Sequence, residues 1–205
     1  MAEREVPQTP IAVFDEFLVA EEWRKLIDFT LGSARAFMET QVIGANGQTR
    51  LDDRFRRSRA LFDLGPFHQV FVDRLMAFLP HVVTRLGDPG FAVSQMEVQL
   101  TGTNNQEFFK VHTDNDSNAV SGRRITFVYF LYREPRGFDG GELRIYDTQR
   151  DNGAAVAAGP FHVIYPQQNQ VVFFNSGCLH EVMPVGCPSG DFADSRFTVN
   201  GWFHV

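Results

Sequence analysis

Cysteine is scarce in this chain. Of 205 residues only Cys178 and Cys187 carry thiols, with no CxxC spacing, so a disulfide framework and a thiolate zinc site are not expected. Excess positive charge is missing too. A formal net charge of -6 provides no basic footprint, which argues against nucleic acid as a partner. The single cationic cluster, "RFRRSR" from Arg54 to Arg59, is too short to reverse that balance and reads as a solvated edge. No segment approaches the ~20 apolar residues of a membrane span, and "MAEREVPQTP" at the start has no apolar core of a signal peptide. The expectation is a cytoplasmic protein with no membrane partner. Internal repeats and low-complexity segments are also lacking.

What is present, 43% hydrophobic and 21% charged residues, describes one globular domain spanning residues 1–205. From Glu21 to Ala34 and from Phe67 to Arg85, apolar residues recur at three and four places, the period of helices with one buried face. Residues 1–90 are therefore expected to be the helical part. After Gly90 the texture changes to short runs rich in Val, Phe, Ile and Tyr: "MEVQL", "EFFKVH", "RITFVYFLY", "GELRIY", "FHVIY", "QVVFF", "LHEVMPV" and "RFTVNGWFHV". About eight strands with turns between them predict a jelly roll over residues 91–205. "DNGAAVAAG", residues 151–159, reads as a turn-prone segment between two of them. The fold class is α+β, with the N-terminal helices packed on one sheet.

One short stretch, "KVHTDND", places His112 and Asp114 two residues apart. If the strand runs on through Asp114, alternation turns both side chains to one face. A metal site needs a third ligand, and His180 is the best placed: it follows the buried run "VVFFNSGC" and begins the next strand. His68, His81, His162 and His204 read as structural or surface histidines. Two histidines and a carboxylate form the facial triad of non-haem Fe(II) oxygenases, with open coordination positions. Arg196 adds to the pattern. In "DSRFTVNGWFHV", alternation puts Arg196, Thr198, Asn200 and Trp202 on one face. An arginine pointing into a barrel needs a carboxylate, from an acidic co-substrate or from Glu142 or Asp194 at the rim.

Taken in order, "HTD", "GRRITFVYFLYREP", "GGELRIYD", "YPQQNQVVFFNSGCLHEVMPV" and "SRFTVNGWF" resemble the 2-oxoglutarate and Fe(II)-dependent dioxygenases of the prolyl 4-hydroxylase-like branch. The early "VFDEFLVAEEW" is similar to the entry into that family's first helix. The resemblance covers Met96 to the C-terminus. It implies a double-stranded β-helix, a cupin-like jelly roll whose open end holds the metal. It further implies that His112, Asp114 and His180 bind Fe(II), and that Arg196 pairs with the far carboxylate of 2-oxoglutarate. Thr198 matches a hydroxyl position beside that carboxylate, Leu143 an apolar wall, and Asn200 and Trp202 complete the pocket floor. The implied co-substrates are 2-oxoglutarate and O2, with ascorbate as a candidate reductant. Where relatives offer tyrosines to the co-substrate, the nearest matches here are Leu100 and Phe130, with Tyr129 in the alternate register.

The activity so implied is hydroxylation of an amino acid or peptidyl residue, proline being the first candidate, so the partner is a small molecule or peptide. Arg57, Arg59, Tyr129 and Trp202 are candidate substrate contacts. Arg57 or Arg59 holding a substrate carboxylate would favour a free acid. The loop "GCPSGDFAD" before Arg196 is expected to border the entrance. Two other classes stay open: a zinc-dependent hydrolase on the same triad, and a non-catalytic jelly-roll binding module.

Overall fold

The computed structural model describes residues 7–43 and 48–205. Helix α1 spans Ala20–Gly32. It begins where the Glu22 carboxylate accepts the Val19 backbone N–H at 3.1 Å, which places an acidic side chain at the positive end of the helix dipole. Helix α2 spans Phe67–Leu86 and stops at Gly87, whose φ of 65° is the left-handed cap that a side chain resists. Both follow the periodicity of the sequence to within two residues. Among the described residues, no helix is long and apolar enough to cross a membrane.

Among the described residues, two main antiparallel sheets face each other. The larger has seven strands, in the order Ala12–Phe14, Val171–Asn175, Arg123–Leu131, Arg196–His204, Gln95–Thr103, Arg59–Leu61 and Met38–Glu39. The smaller has five: Ala154–Ile164, Leu143–Asp151, His180–Val182, Phe108–His112 and Arg56–Arg57. Each strand of the larger sheet divides its residues by alternation. Ile125, Phe127, Tyr129 and Leu131, with Phe197, Val199 and Phe203, join Leu26, Ile27, Phe71, Leu75, Leu79 and Val82 in the main core. The intervening Thr126 and Val128, with Arg196, Thr198, Asn200 and Trp202, face the space between the sheets instead. The helices thus close one face of the large sheet, and the small sheet covers the other. This is the α+β double-stranded β-helix expected from the sequence.

Three local features differ from expectation. The N-terminal part is not only helical: Met38–Glu39 and Arg59–Leu61 extend the large sheet, and Arg56–Arg57 the small one. Segments of two or three residues are too short to show a period. The "DNGAAVAAG" segment is mostly strand. Asn152 and Gly153 both take positive φ, 49° and 85°, as a two-residue hairpin turn requires, and the alanines beyond pair with Thr148–Asp151. Small side chains gave no hydrophobic signal, but they leave a backbone ladder unimpeded. Finally, the strand carrying His112 ends there, and Asp114 lies in a bend.

Candidate active site

His112 and His180 are cross-strand partners in the small sheet, which sets their rings 4.2 Å apart. Asp114 joins them without being in the strand, because its backbone N–H donates to the Ser176 carbonyl at 2.9 Å. One ligand atom from each of the three side chains lies within 4.8 Å of the others. The His180 Nε2 is 3.3 Å from one Asp114 oxygen, and the His112 Nε2 is 3.6 Å from the other.

The surroundings fix the tautomers. Nδ1 of His112 sits 2.7 Å from the Lys110 carbonyl, and Nδ1 of His180 sits 2.9 Å from that of Cys178. A carbonyl can only accept, so each Nδ1 carries the proton and each Nε2 lone pair is directed inward, the arrangement typical of metal-ligating histidines. Phe109 stacks on the His112 ring with centroids 3.6 Å apart, and Phe174 meets His180 edge-on at 4.8 Å. Thr126 Oγ1 donates to Asp114 Oδ2 at 2.7 Å and lies 3.0 Å from Ser176 Oγ.

Burial and mutual charge act in opposite directions here. Burial and the nearby His180 push His112 below the ordinary histidine value. Burial also disfavours charge on His180, but the Asp114 carboxylate outweighs it and raises His180 overall. Asp114 is opposed by burial as well, yet the two imidazoles hold it well below the usual carboxylate range. Two neutral-capable imidazoles and an ionised carboxylate, all with inward lone pairs, fit a divalent first-row cation.

The cavity around this cluster is about 600 Å³ including its open mouth. Thr198, Asn200, Leu143 and Trp202 line it together with Arg196. Arg196 is 2% exposed, and its Nε and Nη2 are buried without a hydrogen-bond partner. Burial pushes its guanidinium down to about 10, with Glu142 acting the other way, so it remains charged at neutral pH. Neither rim carboxylate neutralises it. Asp194 pairs with Arg133, and no ion pair to Glu142 forms among the described residues. The Phe130 ring lies 5.1 Å from the guanidinium carbon.

Gly141 is what lets Arg196 lie there. Its φ is +69°, and a Cβ built on it would meet Arg196 Cδ at 2.6 Å and Val185 Cγ2 at 2.9 Å. Gly141→Ala is expected to cost about 1–3 kcal/mol through backbone strain and overpacking. A lowered Tm in a thermal melt checks this.

Several expected contacts lie elsewhere. Tyr129 points to the helices, not the cavity: its hydroxyl donates to Asn169 Oδ1 at 2.9 Å within the main core. Leu100 faces the same core, and its neighbours Gln99 and Thr101 line the cavity in its place. Arg57 stacks on Phe108 and donates to the Gln106 carbonyl at 2.6 Å on the outer side. Arg59 borders a separate polar recess with Asn104, Glu107 and Ser195. The arginine of that cluster which enters the cavity is Arg56, a neighbour that alternation sends to the opposite face from Arg57. Thr126, another lining residue absent from the sequence expectations, is turned to the cavity by its register opposite Trp202. Glu181 lies outside the cavity lining, hydrogen-bonded to the Tyr146 hydroxyl and 3.6 Å from Arg144.

A family model described as the 2OG-Fe(II) oxygenase superfamily matches residues 96–204. An uncharacterized PKHD-type hydroxylase of Synechocystis sp. is 37% identical over 188 residues, 91% of this chain and 60% of that protein. The chain therefore spans about 60% of the length of the curated relative it matches. Among solved structures, a prolyl-4-hydroxylase of Pseudomonas putida superposes with TM-score 0.67 at 20% identity, over 97% of this chain and 94% of that one. A prolyl hydroxylase of Trichoplax adhaerens, in complex with a hypoxia inducible factor peptide fragment, gives 0.68 at 17% identity, over 96% and 84%. At such identities the likeness is one of fold.

Proposed function

Because the chain belongs to the 2OG-Fe(II) oxygenase superfamily, matched over residues 96–204, we propose that it is a non-haem dioxygenase. In this reading it couples oxidative decarboxylation of 2-oxoglutarate to hydroxylation of an amino acid or peptidyl residue, with proline the first candidate. His112, Asp114 and His180 hold Fe(II), and Arg196 receives the far carboxylate of 2-oxoglutarate. The observation that carries the reading is that one cavity holds both a three-ligand cluster and a buried arginine with unpartnered donors. Bound there, Fe(II) supplies the activation of O2 that the side chains of this chain cannot perform.

The protein's own groups do the positioning. The planar guanidinium of Arg196 offers two parallel donors to a carboxylate, and its burial strengthens the pair. Thr198 and Asn200 stand beside it along the same strand face. Leu143, Val128 and Val182 are apolar walls that limit water near the reacting atoms. Thr126 holds Asp114 in place. Thr126→Val is accordingly expected to weaken Fe(II) binding about tenfold to a hundredfold, read by competition against a chromophoric chelator.

The two rivals fare less well on the same geometry. A hydrolase needs a carboxylate base near the metal, and Glu181 is occupied outside the cavity. A binding module leaves Arg196 with no purpose for its burial. The test is spectroscopic. Anaerobic addition of Fe(II) and then 2-oxoglutarate to the folded protein is expected to produce a visible charge-transfer band, and a flat spectrum would overturn the reading.

A further inference from the structure

Among the described residues, Arg196 is one of two guanidiniums that line the cavity, and the other, Arg56, is not part of the three-ligand cluster. Arg56 lies over the Phe109 ring, 4.5 Å from its centroid, and that ring in turn stacks on the ligand-cluster residue His112. Its Nε donates to Ser58 Oγ at 3.0 Å. Among the described residues no carboxylate forms an ion pair with it, and the nearest acidic influence is Asp114. That carboxylate is committed to Thr126 and the imidazoles. Burial pushes Arg56 down to about 10, so it stays charged.

Charge balance says what is missing. A divalent cation, the Asp114 carboxylate and two guanidiniums would leave the cavity three positive charges. The dianion 2-oxoglutarate cancels two of them. One remains, and a charge left without a partner in a partly buried site is costly.

We propose that the primary substrate carries a carboxylate that pairs with Arg56, so that this site selects a free amino or imino acid, or the terminal residue of a peptide, over an internal peptide residue. The inference rests on the dioxygenase reading. With Nε held by Ser58, the two Nη groups of Arg56 form the fork that accepts a carboxylate, and Phe109 fixes the plane of that fork beside the His112 ring. The Trp202 Nε1–H, buried in the cavity lining without a partner, is a further donor for an anionic or carbonyl oxygen. Arg123, 3.5 Å over the Trp202 ring, is already neutralised by Glu97 at 2.6 Å, so it adds no second free cation.

The test uses the anaerobically reconstituted protein and two matched mixtures: the free protein amino acids and the same amino acids as amides. Succinate formation after admission of O2 is expected to be stimulated at least tenfold more by the free acids. The zinc-loaded protein with 2-oxoglutarate should be stabilised against heat by the acids and not by the amides, a readout that needs no turnover. Proline-terminated peptides with free or amidated ends separate the two sources of the carboxylate. Arg56→Gln should erase the acid-over-amide preference, while Arg56→Lys keeps part of it and serves if the glutamine variant folds poorly. Throughout, the Kd for 2-oxoglutarate from the charge-transfer titration should change less than threefold. Equal response to the free and amidated forms in both readouts, for the amino acids and for the peptides alike and absence of any response included, overturns the proposal. So does a large rise in the 2-oxoglutarate Kd with substrate preference intact, which would assign Arg56 to the co-substrate. Loss of the charge-transfer band in the unmodified protein would instead count against the dioxygenase reading itself.

Discussion

Asp114→Ala is expected to abolish coupled turnover, lowering succinate formation by at least about a thousandfold, or about 4 kcal/mol at 1.4 kcal/mol per decade. Asp114 is the only anionic member of the cluster. Two imidazoles alone bind Fe(II) weakly and leave its charge uncompensated. The carboxylate also stands at the junction of two supports: its side chain accepts from Thr126, and its backbone N–H reaches Ser176. Alanine keeps the backbone bond and loses only the carboxylate. The variant should therefore fold, with bound iron falling below stoichiometry by elemental analysis after desalting. Asp114→Glu moves the same charge one methylene outward, away from the Thr126 donor, and should recover part of the iron binding with little turnover. Full turnover in the alanine variant would place the metal elsewhere.

The legibility of the sequence was uneven, for physical reasons. Helices α1 and α2 and the large-sheet strands Gln95–Thr103, Arg123–Leu131, Val171–Asn175 and Arg196–His204 carry clear apolar runs, because each buries one face against the main core. The cluster His112, Asp114 and His180 was readable because two of the three residues lie close in sequence. The third follows a buried strand and a turn. Asp114 reaches the cluster by a different route from strand alternation: the strand stops at His112, and the Ser176 contact brings the carboxylate inward.

Arg56, Arg57 and Arg59 show the limit more sharply. Whether an arginine in that cluster faces the cavity depends on two short segments, one paired with Phe108–His112 and the other with Gln95–Thr103. Such pairing is long-range, and a two-residue strand has no pattern of its own to announce it. Tyr129 was misplaced for the opposite reason. In a run of nine almost uniformly buried residues, composition does not distinguish the face against the helices from the face against the cavity, and only the registers with Val171–Asn175 and Arg196–His204 separate them.

Arg196→Met should have opposite effects on function and on stability, and that opposition is what identifies the arginine as a ligand group instead of a structural one. In the free protein the guanidinium is buried, charged and short of partners, a state that costs several kcal/mol before co-substrate arrives. Methionine fills much of the same volume beside Phe130 and Gly141 and carries no charge. The ligand-free variant is therefore expected to be more stable by about 1–3 kcal/mol, which raises the Tm by roughly 2–4 °C per kcal/mol in a chain of this size. Binding moves the other way. Truncating one partner of a buried charged pair costs about 2–5 kcal/mol, so the Kd for 2-oxoglutarate should rise by between about thirtyfold and several thousandfold. Arg196→Lys keeps the charge and loses the planar fork. It should retain the low ligand-free stability and bind 2-oxoglutarate about tenfold to a hundredfold more weakly. Thermal melts with and without 2-oxoglutarate read both quantities on one sample. If Arg196→Met were less stable than the parent without ligand, the arginine would have a partner that holds the fold together, and its unpaired burial could no longer be explained by a co-substrate.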